Sequence, residues 1–128
     1  MRGHRDLVVW QASKRLAKRV YELTKSLPRE DLYTIGSQIR RASVSIPCNL
    51  AEGSTRRSKK EFAHFVSIAR GSCAELQTLI ELCVEFGIVA DDAELSGEID
   101  EVARMLFGLE RSVRDVRASK VQTSEPEN

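Results

Sequence analysis

A helical spacing of apolar residues runs straight through a proline between residues 32 and 53, and this narrows the folds open to the chain more than any other feature. Leu32, Ile35, Ile39, Ala42, Ile46, Leu50 and Gly53 recur at intervals of three and four, which places them along one side of a helix. Pro47 lies inside that run. It has no N–H for the Ser43 carbonyl and its ring crowds that oxygen, so a helix crossing it is expected to kink there. The far side is unusual as well. Ser37, Val44, Pro47, Cys48 and Ala51 form a second strip of small or apolar residues where a simple surface helix would carry charge. Such a helix has neighbours on two sides.

Three further helices are predicted around it. The first spans about Asp6 to Ser26, with Trp10, Leu16, Ala17, Val20, Leu23, Thr24 and Leu27 as its stripe, Asp6 as N-cap and Leu27-Pro28 as its stop. The second, just described, spans Glu30 to Gly53, where glycine suits the left-handed residue that ends helices. Ser58-Lys59-Lys60-Glu61 is a capping box that opens the third. Phe62, Phe65, Val66, Ala69, Cys73, Leu76, Ile80 and Cys83 form its main stripe, and Ile68, Leu79, Leu82 and Phe86 a second one, before Gly87 ends it. Asp91 or Asp92 caps the fourth, which carries Leu95, Ile99, Val102, Leu106, Leu109, Val113 and Val116 to about Ala118. Long helices joined by short turns predict an all-α, antiparallel up-and-down four-helix bundle over residues 1–118, followed by a polar, disordered tail over 119–128. The second and third helices carry more apolar surface than a lone bundle needs, which points to a homo-oligomer.

Composition removes several classes of function. The 128 residues fit one domain. No apolar run approaches the ~20 residues that cross a bilayer, and the start MRGHRDLVVW lacks the apolar core of a signal peptide, so a cytoplasmic location with no membrane partner is expected. Cys48, Cys73 and Cys83 are odd in number and show no CxxC spacing, which predicts free buried thiols and no metal. Neither His4, in a flexible start, nor His64 has a nucleophile at motif spacing. A di-iron bundle needs a Glu-x-x-His pair on each of two helices, whereas Glu61 and His64 make a single one, and no glycine-rich phosphate loop exists. Glu75, Glu81 and Glu85 read as solvated charge. A non-enzymatic chain without cofactor is the expectation. Gly71, inside the third helix, is tolerable if a neighbouring backbone approaches closely, and Asn49, Glu52, Arg70 and Glu75 could form a polar network between the second and third helices.

The formal net charge of +1 hides a polarity along the chain. Residues 1–70 hold 15 Lys or Arg against 6 Asp or Glu, whereas residues 71–128 hold 5 against 13. The two halves could face each other within the bundle or between subunits, or the basic half could receive a polyanion. Arg40, Arg41, Arg56, Arg57, Lys59 and Lys60 are the candidate site, since clustered cations bind phosphate and release counterions. No aromatic residues interleave with them, so stacking on single-stranded bases is not expected.

The segments DLVVWQASKRLAKRVYELTKSLP and SQIRRASVSIPCNLAEGSTRRSKKEFAHFVSIARGSCAELQTLIEL carry VWQ, RRASVSIPCNLAEG and ARGSCAELQT in order. Over roughly residues 6–115 the chain resembles a bacterial family of four-helix-bundle proteins. Its members include those encoded within intervening sequences of large-subunit ribosomal RNA genes, historically described as ribosomal-protein-like, and the accessory variability determinants of diversity-generating retroelements. The resemblance implies a bundle assembled as a homopentameric, barrel-like ring. In the retroelement branch it implies a reverse transcriptase partner and nucleic acid bound through a basic surface. The family motif falls on Arg40, Arg41, Ser45, Ile46, Pro47, Asn49, Ala51, Glu52, Gly53, Arg70, Gly71, Ser72 and Glu75, which look architectural in the family. The chain departs from the strongly basic retroelement members in being nearly neutral. Two readings result: a homo-oligomeric scaffold binding RNA, DNA or a nucleoprotein, and a structural or protein-interaction module with no nucleic acid of its own.

Overall fold

The computed structural model describes residues 3–123, with side chains described to residue 114. All regular structure among the described residues is helical. A 3-10 turn, His4–Asp6, leads into α1 (Val8–Lys25); a short α2 (Arg29–Asp31) and a π-helical turn (Leu32–Gly36) lead into α3 (Ser37–Ser54); α4 (Lys59–Glu85) and α5 (Ala93–Thr123) follow. Residues 29–54 thus form one helical segment, and the four long segments are those the periodicity predicted.

Cross-helix contacts fix the topology. Arg40 near the start of α3 bonds Thr24 near the end of α1, and Gly53 near the end of α3 abuts Phe62 and Phe65 near the start of α4. Arg70 meets Glu110 while Gln77 meets Asp100 on α5, and Arg19 of α1 meets Glu98 of α5. Each neighbouring pair is therefore antiparallel, as short turns require. The basic α3–α4 turn and the acidic α4–α5 turn lie at opposite ends of this helical bundle.

The core is the predicted stripe on each helix. Leu16, Val20, Ile39, Ile46, Leu50, Val66, Leu76, Ile99, Val102 and Leu106 are fully covered, and the removal of such aliphatic surface from water, about 25 cal/mol per Å², is what holds the helices together. The small buried hydroxyls are satisfied within their own helices: Ser13 donates to the Trp10 carbonyl, Thr24 to Tyr21 and Ser43 to Arg40. The predicted second strips are more exposed than the core. Val44, Cys48, Ile68 and Phe86 are open to solvent, while Leu79 is buried.

Several local expectations are corrected. The N-cap position of α1 falls on Leu7, beyond Asp6, and makes no side-chain cap bond. His4 is not in a loose start: its ring meets Trp10 edge-on at 4.8 Å. Of the three free thiols, Cys48 is exposed and only Cys73 and Cys83 are buried. Burial, with a smaller contribution from Asp100, pushes the Cys73 thiol up to about 11, and burial raises Cys83 too. Gly53 does not end its helix in left-handed geometry, since the positive-φ glycines are Gly3 and Gly87. It is there for space, because a Cβ would lie 2.7 Å from Phe65 Cβ and 3.1 Å from Phe62 Cδ1. Gly71, where close approach was expected, has nothing within 4 Å of such a Cβ. Gly87 does end α4 at φ 75°. The last helix reaches Thr123, so residues 119–123 of the expected tail are helical and 124–128 lie outside the described residues. α3 remains helical on both sides of Pro47.

Candidate functional site

The cations of the α3–α4 turn are presented by two well-closed helix ends. At the first, Thr55 N–H and Arg56 N–H donate to the Glu52 and Gly53 carbonyls, while the Ser54 and Thr55 hydroxyls donate to Ala51 and Glu52. These bonds satisfy the orphan carbonyls of the last turn. At the second, Ser58 Oγ accepts from the Glu61 N–H at 3.0 Å, the serine half of the predicted capping box. Arg56 and Arg57 fill the connection between the ends, and Lys59 and Lys60 open α4.

Their electrostatics run against local stability. The N-terminus of a helix carries about half a positive charge, so lysines in its first turn are disfavoured. Glu61 is the only acid in that turn. Among the described residues, Arg57, Lys59 and Lys60 form no ion pair, and all three are exposed. Arg56 differs. Its Nη2 donates to Glu52 Oε2 at 2.6 Å, and its guanidinium lies 4.9 Å from the Phe65 ring centroid.

The six predicted cations do not converge. Arg40 and Arg41 sit near the start of α3, about 20 Å from the turn at 1.5 Å per residue. Arg40 is drawn toward α1, where Nε donates to Thr24 Oγ1 at 2.7 Å and the guanidinium covers Tyr21 at 4.0 Å. Arg41 is exposed there. The site is therefore Arg56, Arg57, Lys59 and Lys60, with Arg40 and Arg41 apart from it.

Aromatic rings do enter that site, contrary to expectation. His64 and Phe65 lie one helical turn past Lys60 and Glu61, so α4 returns them to the same face. The two rings meet edge-to-face at 5.6 Å. With Arg56, Ser58, Lys60 and Glu61 they line a hollow of about 540 Å³. A smaller recess of about 220 Å³ adjoins it beside Arg57 and Lys59. A third, about 440 Å³, lies at the opposite end, floored by Leu23, Ile80, Val84 and Leu95 and rimmed by acids, so it is remote from the cations.

The predicted polar network between the second and third helices separates into unconnected parts. Asn49 Nδ2 donates to the Ser45 carbonyl at 2.8 Å and to its Oγ at 2.9 Å, and Ser45 Oγ meets Ser72 Oγ at 2.8 Å, which ties α3 to α4. Glu52 turns to Arg56, and Glu75 is exposed. Arg70 instead crosses to α5, donating to Glu110 Oε1 at 2.8 Å while Arg114 donates to Oε2 at 2.8 Å and 3.1 Å. Glu110, only 8% exposed, is a residue the sequence reading missed. Its signal was its register, four residues beyond Leu106 and three before Val113 on the buried stripe. The Arg70 hydrogen bond outweighs burial and, with help from Arg114, holds its carboxyl below the usual range. Arg19 likewise bonds Glu98 at 2.8 Å and pairs with Glu94 of α5 and with Asp92 just before it. The basic and acidic halves thus partly neutralise each other inside the chain. Asp92 also caps α5, accepting from Glu94 and Leu95 N–H at 3.1 Å each. Among the described residues no group of His, Cys, Asp and Glu is placed to hold a metal ion, and no helix is long and apolar enough to cross a membrane.

Comparison with known proteins supplies a family. A model described as 23S rRNA-intervening sequence protein matches residues 5–108. Among solved structures, the chain is similar to a protein of unknown function from the S23 ribosomal protein family of Bacteroides thetaiotaomicron. The TM-score is 0.75 at 21% identity, covering 81% of this chain and 99% of that one. At that identity the likeness concerns the fold. No curated protein sequence matches.

Proposed function

Because the chain belongs to the 23S rRNA-intervening sequence protein family, we propose that it is a non-enzymatic, homo-oligomeric scaffold that binds RNA or a nucleoprotein through the α3–α4 turn. The observation that carries this reading is the set of exposed cations Arg57, Lys59 and Lys60, without an ion pair among the described residues, at or just before a helix start that would be more stable without them. Arg19, Arg70 and Arg114 are matched to carboxylates, and the other exposed cations without an ion pair among the described residues, such as Arg15, Lys18 and Arg41, lie within helices and not at a helix start. Cations left unmatched at a cost in stability are free to neutralise phosphates, and copies joined in the homopentameric ring that the resemblance implies would repeat the patch on one rim. The exposed Val44, Cys48 and Ile68 support self-association. In such a ring a kink at Pro47 would curve α3 around its neighbour.

Affinity for single-stranded RNA should fall steeply with salt. Reversing the three cations together (Arg57→Glu, Lys59→Glu, Lys60→Glu) should abolish binding while light scattering shows the assembly unchanged. Salt-insensitive binding, or retention of affinity by the triple variant, would contradict this. A structural module is the second reading, favoured by Glu81, Glu85 and Asp91 at the other end, which carry no ion pair among the described residues. Under it, the triple variant would break the oligomer and the protein would bind no RNA.

A further inference from the structure

The turn divides its cations by geometry. Arg57, Lys59 and Lys60 are exposed cations with no ion-pair partner among the described residues. Arg56 is anchored by Glu52 at 2.6 Å and laid over the Phe65 ring at 4.9 Å. Its charge is already matched, which weakens it as a phosphate ligand. What it offers outward is a flat guanidinium surface backed by an aromatic ring. Beside it, the exposed His64 imidazole stands edge-on to Phe65 and borders the hollow of about 540 Å³ shared with Lys60. Glu61 also lines the hollow, so its charge is mixed, but a planar cation and aromatic rings beside exposed lysines are the components with which proteins hold unstacked bases.

We propose that this hollow receives an unpaired nucleobase, stacked against the Arg56 guanidinium and the His64 imidazole, while Lys60, Lys59 and Arg57 hold the flanking phosphates. The ligand class is then single-stranded nucleic acid, for which a short RNA serves as the probe. A duplex could reach the phosphate-binding cations, but its bases are stacked within the helix and cannot enter. This rests on the phosphate-binding reading given under Proposed function and adds base contact to it.

The test compares a labelled uridine dodecamer with an abasic sugar-phosphate chain of equal length and charge, by fluorescence anisotropy on the intact protein. Uridine has little self-stacking to lose. The wild type should bind the uridine chain roughly tenfold more tightly, the contribution of one base stack. Arg56→Lys keeps the charge without the plane, and His64→Ala removes the exposed ring. Each should erase most of that preference, and His64→Ala, at a residue outside the cation set, should do so with abasic binding and its salt slope unchanged. Equal affinity for the two chains would overturn the stacking proposal and leave the phosphate reading standing. Binding to neither would overturn both.

Discussion

The α3–α4 turn and the α4–α5 seam contain the same residue types in opposite states. At the seam, Arg70 and Arg114 converge on a carboxylate that is almost fully buried, and Arg70 also lies 4.9 Å from the Phe107 ring. At the turn, three cations stand exposed without an ion-pair partner among the described residues. A count of arginines and lysines treats the two regions alike, but pairing separates them. Matched charge fixes helix register, and unmatched charge at an unfavourable helix end is available to something outside the chain.

The largest break of this contrast is at the seam. Glu110→Ala leaves two guanidiniums facing a void. Loss of one partner of a fully buried pair costs about 3–5 kcal/mol, and since Arg70 and Arg114 are 43% and 49% exposed we expect a smaller loss, about 2 kcal/mol in urea unfolding. The carboxyl also gives the seam a pH dependence. Its folded-state pKa is lowered, so its stabilisation is present above the ordinary carboxylate range and is lost as pH falls through the folded value. The stability gap between wild type and Glu110→Gln should accordingly be full at neutral pH and close in acid. A gap that persists unchanged at low pH would mean the ion pairs contribute little.

Two glycines sharpen the contrast with opposite signs. Gly53→Ala forces a Cβ to 2.7 Å from Phe65 Cβ at the foot of the basic turn. Overpacking of that kind costs about 1–3 kcal/mol and the gain in helix propensity returns about 1, so a net loss near 1 kcal/mol is expected by thermal unfolding. Gly71→Ala meets open space in mid-helix and should stabilise by about 0.5–1 kcal/mol. Equal effects at the two positions would show that Gly53 is not a contact glycine. The smallest effect returns to the turn: replacing Lys59 and Lys60 by Glu puts acid where the helix start prefers it and should raise stability by a few tenths of a kcal/mol.

Much of this architecture is legible in the chain because burial imposes a period. Ile39, Ile46 and Leu50, or Leu95, Ile99, Val102 and Leu106, are apolar at helical intervals for one reason, and that reason acts locally enough to be read. Ser58 and Asp92 are equally readable, since a cap bonds N–H groups only two or three residues away. What escaped was set by distance in space. Arg40 and Arg56 look like one basic segment, yet a helix separates them by about 20 Å and α1 captures the first. Gly53 resembled a helix-ending glycine because only the approach of Phe65 on another helix reveals its role. Glu110 was passed over because its partner Arg70 lies 40 residues earlier. Phe65 was taken as core alone because only the folded turn lays Arg56 over its ring.

The most direct test is the salt dependence of RNA affinity for three proteins side by side: the wild type, the turn variant with Arg57, Lys59 and Lys60 reversed, and a seam variant with Arg70→Ala and Arg114→Ala. The wild type should show a steep slope of log Kd against log salt. The turn variant should lose affinity and flatten by about two, for three phosphates at ~0.7 each. The seam variant should keep the wild-type slope despite lower stability. If the turn and seam variants lose slope equally, or if only the seam variant does, unmatched charge does not mark the binding surface and the account is wrong.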